Sequence, residues 1–207
     1  MSDKKTAIII GAGLGGISLA ALLSKKGYAV SVYEKNSSVG GRARIFETQG
    51  FTFDMGPSWY MMPDVFEEFF SLLGEDITEY FTLKKLAPSY RIFLKSSNTV
   101  HDFYADREKN REIFNAIEPG SGEKLVEYLD ESKRQYTIAK REFIYKNYDS
   151  IFDFFNLRVM REGRKLEIYR NMKQIISRTF KNELLQKVMM FQMVLLGTAP
   201  KDAPGMY

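Results

Sequence analysis

Thr6-Ala7-Ile8-Ile9-Ile10-Gly11-Ala12-Gly13-Leu14-Gly15-Gly16, read with Glu34 and with Gly40-Gly41-Arg42, is the stretch that decides the fold. An almost continuously apolar run that stops at a glycine-rich turn reads as a buried parallel strand giving way to a helix. Gly11 permits a tight turn out of the strand, Gly13 lets bare backbone approach a pyrophosphate, and Gly16 lets the next helix pack closely on the sheet. Ala12, Leu14 and Gly15 complete a turn whose N–H groups, with the positive end of the helix dipole, face phosphate.

Outward from that turn, Ile17 to Leu23 reads as a helix closed by the C-cap candidate Gly27. A second alternating strand, Ala29 to Tyr33, delivers Glu34 to its carboxyl end, 18 residues beyond Gly16. That is close to the roughly 20 expected of an acid that hydrogen-bonds a ribose hydroxyl. Its charge would repel a 2′-phosphate, which disfavours NADP. A lone G-x-G-x-x-G is a weak signal, and the flanking strands, helix and acid supply the context that strengthens it.

Lys35 to Arg44 separates NAD from FAD, because a second glycine pair with an arginine suits another backbone approach to the same ligand. The Arg42 guanidinium would then be available to an anionic oxygen. Further on, Gly50 to Trp59 holds a short strand followed by the turn Gly56-Pro57, which is either a cofactor contact or a plain turn.

Taken together, GAGLGG, Glu34, GGRA and Gly50-Phe51-Thr52-Phe53-Asp54-Met55-Gly56-Pro57-Ser58-Trp59 resemble the amino-terminal part of the flavin-dependent carotenoid desaturases, of the bacterial phytoene desaturase kind. Pro88-Ser89-Tyr90-Arg91 and Leu196-Gly197-Thr198-Ala199-Pro200 extend the likeness along the chain. The resemblance implies an α/β fold: a Rossmann-like FAD-binding βαβ unit with an inserted α+β region for substrate and membrane association, the whole an incomplete flavoprotein fold. It implies FAD as cofactor, with Gly11, Ala12, Gly13, Leu14, Gly15, Gly16, Glu34, Lys35, Gly40, Gly41, Arg42, Ala43, Met55, Gly56, Pro57 and Ser58 around it. Arg42 would meet the pyrophosphate, Glu34 the adenosine ribose, and Met55 to Ser58 the flavin ring; no catalytic base is named. The implied reaction is dehydrogenation of a carbon-carbon bond in a long apolar carotenoid precursor. The expected division is residues 1–85 for the cofactor and 86–207 for the start of the substrate domain, in an amino-terminal portion or one half of a split protein. Two alternatives stay open: another two-domain FAD oxidase acting on amines or porphyrins, and a cofactor-binding module without turnover.

Composition bounds the remainder. With 207 residues, 44% hydrophobic and 27% charged, the chain can bury a sizeable core. A net charge of +4 with scattered Lys and Arg is no nucleic-acid footprint, though a faintly basic surface suits anionic lipid. The absence of cysteine removes disulfides, thiol nucleophiles and thiolate metal sites, and the single histidine, His101, cannot build a multi-histidine metal centre. His101 reads as a strand residue. No signal peptide and no membrane-spanning run is evident, so a cytoplasmic protein, peripheral on the membrane in one version, is expected.

Pro63 to Leu73 reads as an amphipathic helix, and residues 80 to 104 alternate as a hairpin of Tyr90–Leu94 and Val100–Tyr104. From Asp106 the period is helical, with a break at Pro119-Gly120-Ser121-Gly122. A helix over Glu123–Ile144 would present Leu125, Tyr128, Leu129 and Tyr136 on one face. Two further helices are expected, from about Arg164 to Thr179 and from Asn182 to Leu196. The last is apolar nearly all round and methionine-rich, which fits either core or the lining of a substrate channel; the Phe152-Asp153-Phe154-Phe155 cluster leaves the same choice open.

Overall fold

The apolar run becomes strand β1 (Thr6–Ile10), followed by helix α1 (Leu14–Lys25) and strand β2 (Ala29–Tyr33). The two strands pair in parallel, from Thr6 opposite Ala29 to Ile10 opposite Tyr33. The protein is described by a computed structural model, which covers residues 4–56, 58–95, 98–147, 149, 150 and 170–205. The expected cluster at Phe152 to Phe155, and Pro57, lie outside the described residues. The chain divides into two compact units, Met1–Leu83 and Lys84–Tyr207.

In the first unit, α1 ends as its sequence predicts. Gly27 takes φ +87°, and Gly27 and Tyr28 donate to the carbonyls of Ser24 and Leu23 at 2.9 and 3.1 Å, satisfying two of the last free acceptors of the helix. After a 3-10 turn at Gly41–Ala43 comes an antiparallel hairpin of β3 (Ile45–Thr48) and β4 (Phe51–Asp54). Its two linking residues, Gln49 and Gly50, both have positive φ, as a tight hairpin turn of this twist requires. Helix α2 (Pro63–Leu73) begins with Pro at its first position and stops at Gly74, φ +72°, where Lys25 of α1 donates to the Leu73 carbonyl.

The sheet departs from its sequence signature in one respect. A strand as apolar as β1 reads as covered on both faces, but Ile8 and Ile10 are 71% and 90% exposed and only Ile9 is buried. Among the described residues the parallel sheet has two strands, with α1 lying over Ile9, so the other face stays open.

The second unit opens with the antiparallel hairpin β5 (Tyr90–Leu94) and β6 (Thr99–Phe103), which holds His101 opposite Ile92; residues 80–89 form no strand. Helices α3 (Arg107–Ile117), α4 (Ser121–Ala139), α5 (Met172–Thr179), α6 (Glu183–Met190) and the short α7 (Met193–Leu196) follow. Phe103, Phe114, Met172, Ile176, Phe180, Leu185 and Val188 form the centre of its core. Aromatic rings run through it in sequence, Phe191 to Tyr90, Phe103, Phe114 and Phe180, with centroids 5.8, 5.3, 6.1 and 5.6 Å apart.

Four helix boundaries differ from expectation. Ser121 and Gly122 lie inside α4 instead of breaking the chain, because Gly122 fits where a Cβ would overlap the Arg111 carbonyl and Ser121 donates to the Phe114 carbonyl at 2.7 Å. The inner face of α4 then takes Gln135 and Ile138, leaving Leu129 and Tyr136 about one-third exposed, and a π-helical turn at Lys140–Ile144 ends it. The helix expected from Arg164 begins at Met172, where Asn171 and Gln174 form a reciprocal cap; residues 164–169 lie outside the described ones. The last apolar stretch is two helices, α6 and α7, separated at Phe191 and Gln192. Leu185, Val188 and Met193 bury themselves in the core while Val194 is 70% exposed.

Glu118 ties α3 to α6. Its carboxylate accepts from the backbone N–H groups of Asn182 at 2.7 Å and Lys181 at 3.1 Å, just ahead of the α6 N-terminus. Those hydrogen bonds, Asn182 first, hold its carboxyl below the ordinary 4.5. A folded value lower than the unfolded one stabilises the protein above pH 4.5 and ceases to do so as pH falls through the folded value. Glu118→Gln is expected to lower stability by about 1–3 kcal/mol at pH 7 and to flatten the acid-side loss, measured by urea unfolding of the helical circular dichroism signal. In the first unit, a Cβ at Gly16 would overlap the Gly11 carbonyl oxygen, whereas one at Gly15 meets nothing within 4 Å. Gly16→Ala should therefore cost about 1–3 kcal/mol and Gly15→Ala add about 0.5 kcal/mol, followed through the fluorescence of the single tryptophan, Trp59.

Candidate dinucleotide site

Gly11 leaves β1 at φ +99° and donates to the Tyr33 carbonyl at 2.7 Å, which joins the turn to the end of β2. Gly13 then caps α1 with an ordinary φ of −77°, no side-chain cap and no acid in the first turn. A Cβ on Gly13 would meet nothing within 4 Å, so no protein atom among the described residues requires glycine there. The first N–H groups of a helix have no acceptor within it and its N-terminal end is positive, which is the chemistry of an anion cradle.

The second glycine pair docks on the first turn. Gly40 donates to the Ala12 carbonyl at 2.8 Å, and a Cβ on Gly41, φ +60°, would lie 3.1 Å from Gly13 Cα. The close approach anticipated for Gly40-Gly41 is thus made to the glycine turn itself. Arg42 and Ala43 project from it, both exposed, and among the described residues no carboxylate pairs with the Arg42 guanidinium.

A third segment stacks on the second. Met55 donates its backbone N–H to the Arg44 carbonyl at 3.0 Å, and a Cβ on Gly56 would overlap the Arg42 carbonyl oxygen. The Arg44 Nε donates to the Met55 sulfur at 3.2 Å. Met55 is about half-exposed and Ser58 is exposed, while Pro57 lies outside the described residues. Protein packing by itself accounts for glycine at 56.

Glu34, at the end of β2, reaches back across the turn. Its Oε2 accepts from the Ala12 N–H at 2.8 Å, and its Oε1 accepts from the Asn36 N–H at 2.9 Å and from Asn36 Nδ2 at 2.6 Å. These donors, the Asn36 backbone first and Ala12 next, hold the carboxyl below 4.5, so Glu34 is an anion at neutral pH. Lys35 beside it is exposed. Asn36 has no role in the motif read from the sequence; its signal there is an Asx residue two positions after a carboxylate, a type that favours local side-chain bonding.

Gly11 to Gly16, Gly40 to Ala43, Met55 and Gly56 are thereby joined by backbone contacts, and Glu34 by its carboxylate. They offer donors for phosphate, an anion for a hydroxyl and a cation for a second anionic oxygen. Among the described residues no group of three or more His, Asp or Glu side chains gathers to hold a metal ion. No helix among them is long and apolar enough to cross a membrane.

Comparison with known proteins follows the same lines. A family model described as an NAD(P)-binding Rossmann-like domain matches residues 9–75. A carotenoid 3,4-desaturase of Haloarcula japonica is 40% identical over 200 residues, covering 96% of this chain and 40% of that protein. A 4,4'-diapophytoene desaturase of Staphylococcus aureus is 34% identical over 199 residues, covering 96% of this chain and 39% of that protein. The chain therefore spans about 40% of the length of these relatives. Among solved structures, a redesigned variant of putrescine oxidase matches at TM-score 0.52 and 16% identity over 98% of this chain and 40% of its own. Wild-type putrescine oxidase bound to putrescine gives TM-score 0.50 and 15% identity over the same shares. At such identities the likeness is one of fold, a mixed α/β architecture with a Rossmann-like dinucleotide-binding unit.

Substitution at Gly13 tests ligand binding separately from folding. Gly13→Ala is expected to leave unfolding within about 0.5 kcal/mol of wild type. It should weaken ADP binding tenfold or more by titration calorimetry, since the methyl group fills the space open to phosphate. Equal affinity for ADP would show that no ligand approaches there.

Proposed function

From the premise that this chain is a relative of the carotenoid desaturases over 96% of its length, we propose that the whole protein is an FAD-dependent desaturase that removes hydrogen from carbon-carbon bonds of a carotenoid precursor. The observation that carries the cofactor reading is the bare backbone at Gly13, flanked by ionised Glu34 and exposed Arg42. That donor set fits a dinucleotide: phosphate at the α1 N-terminus, ribose at Glu34, a further anionic oxygen at Arg42.

In this reading Gly11 to Gly16 and Gly40 to Ala43 hold the pyrophosphate, Glu34 and Lys35 meet the adenosine ribose, and Met55 to Ser58 border the flavin ring. Bound there, FAD supplies a ring that accepts a hydride equivalent. The chain contributes position and charge. Arg42 offsets phosphate charge, Glu34 sets the adenosine end, and Met55 adds a polarizable, half-exposed surface beside the ring. No side-chain nucleophile is required.

The first unit is assigned to the cofactor and the second to the start of the substrate region. A long polyene is stored in lipid, so the protein would work at the membrane surface without spanning it. Exposed Val194 and Phe191, next to the methionine-rich α6, support an apolar substrate over a polar one.

The purified protein is expected to be yellow and to release FAD on denaturation. Its flavin absorbance should bleach anaerobically when phytoene or a diapophytoene-type precursor is offered in liposomes. Bleaching by an amine would favour the oxidase alternative. Flavin retained without bleaching by any of these would favour a cofactor-binding module.

A further inference from the structure

The hydrogen bonds around Glu34 limit how it can read a ribose. An ionised carboxylate presents about four lone-pair positions, two on each oxygen. Two donors from Asn36 reach Oε1, at 2.9 and 2.6 Å, and one from Ala12 reaches Oε2, at 2.8 Å. By these three bonds Oε1 is saturated by a residue two positions away and Oε2 keeps one acceptor position, the Lys35 backbone acting on the carboxylate more weakly. A vicinal diol engages a carboxylate through both oxygens only when each has room for a hydroxyl.

We propose that Asn36 is a positioning residue that makes Glu34 a one-oxygen ligand: Oε2 alone accepts one hydroxyl of the adenosine ribose, and Oε1 stays bound to Asn36. The Ala12 N–H that shares Oε2 belongs to the glycine turn, so the hydroxyl acceptor and the phosphate cradle are connected by one hydrogen bond. Asn36 is exposed, and its side-chain amide bonds only Glu34 among the described residues, so its removal opens one acceptor position on Oε1, beside the retained backbone N–H of residue 36, without opening a cavity. The inference rests on the reading of Glu34 as the ribose ligand.

Binding of ADP, 2′-deoxy-ADP and 3′-deoxy-ADP to the wild-type protein and to Asn36→Ala, by titration calorimetry, tests it. In the wild type one of the two deoxy analogues is expected to lose tenfold or more in affinity, as for a hydrogen bond to a charged group, and the other less than twofold. In Asn36→Ala both should lose at least threefold, because the position vacated on Oε1 accepts the second hydroxyl. Asn36→Ser, which keeps a short donor near Oε1, should restore the wild-type pattern. Equal losses for both analogues in the wild type, or an Asn36→Ala pattern identical to wild type, would overturn the proposal. No loss for either analogue, with ADP bound, would remove Glu34 from the ribose and the proposal with it, leaving the phosphate cradle intact. Failure of ADP to bind at all would overturn the dinucleotide reading together with this one.

Discussion

Backbone lying against backbone, at a spacing that admits no side chain, holds the amino-terminal unit together. Gly16 sits on the Gly11 carbonyl, Gly41 on Gly13 and Gly56 on the Arg42 carbonyl, each where a Cβ would overlap its neighbour or press into it. The first contact brings α1 down onto the end of β1. The second stacks the Gly40-Gly41 turn on the glycine turn, and the third adds the strand end at Met55. Because each contact is made by main chain, its geometry is insensitive to rotamers, and the groups it presents (the α1 N-terminus, Arg42, Met55) are held in register. The placement of these groups depends on those three approaches before it depends on any side chain.

The carboxyl-terminal unit is organised differently. Side chains do the joining: an aromatic series from Phe191 to Phe180 through the core, Glu118 bridging α3 and α6, and Arg107 clamping α4 through Asp130 at 2.6 Å. Helices α3, α5 and α6 each begin at a residue whose own side chain accepts a backbone N–H, Asp106, Asn171 and Asn182. Their positive ends are satisfied within the protein. Helix α1, begun by Gly13, has no such cap, and neither have α2 after Met62 and α4 after Gly120.

Buried Glu142 belongs to the structural group. It lies in the π-helical turn after α4, bonded by Arg141 Nε at 2.7 Å and Lys146 Nζ at 2.5 Å. A buried carboxylate with two cations on it is neutralised locally, and its removal would leave Arg141 and Lys146 without that counter-charge.

Elements whose signals lie within a few residues of one another were legible before any coordinates. Strands β1 and β2, helix α2 from Pro63 to its Gly74 cap, the β5–β6 hairpin and the Gly27 terminus of α1 follow from side-chain period and from residues that permit or forbid one backbone conformation. Such preferences act through local sterics and adjacent hydrogen bonds, so they survive in any context. Contacts between distant segments decided the rest. The open face at Ile8 and Ile10, the inward turn of Gln135, the break at Phe191 and Gln192, and the choice of Ala12 and Asn36 as partners of Glu34 each depend on what lies opposite in space. Ala12 and Glu34 are 22 residues apart, and nothing in either residue's neighbours specifies the other. The glycine turn and its acid could be read from the chain alone, whereas which of their polar atoms are left without a protein partner was decided by the tertiary contacts that occupy the others.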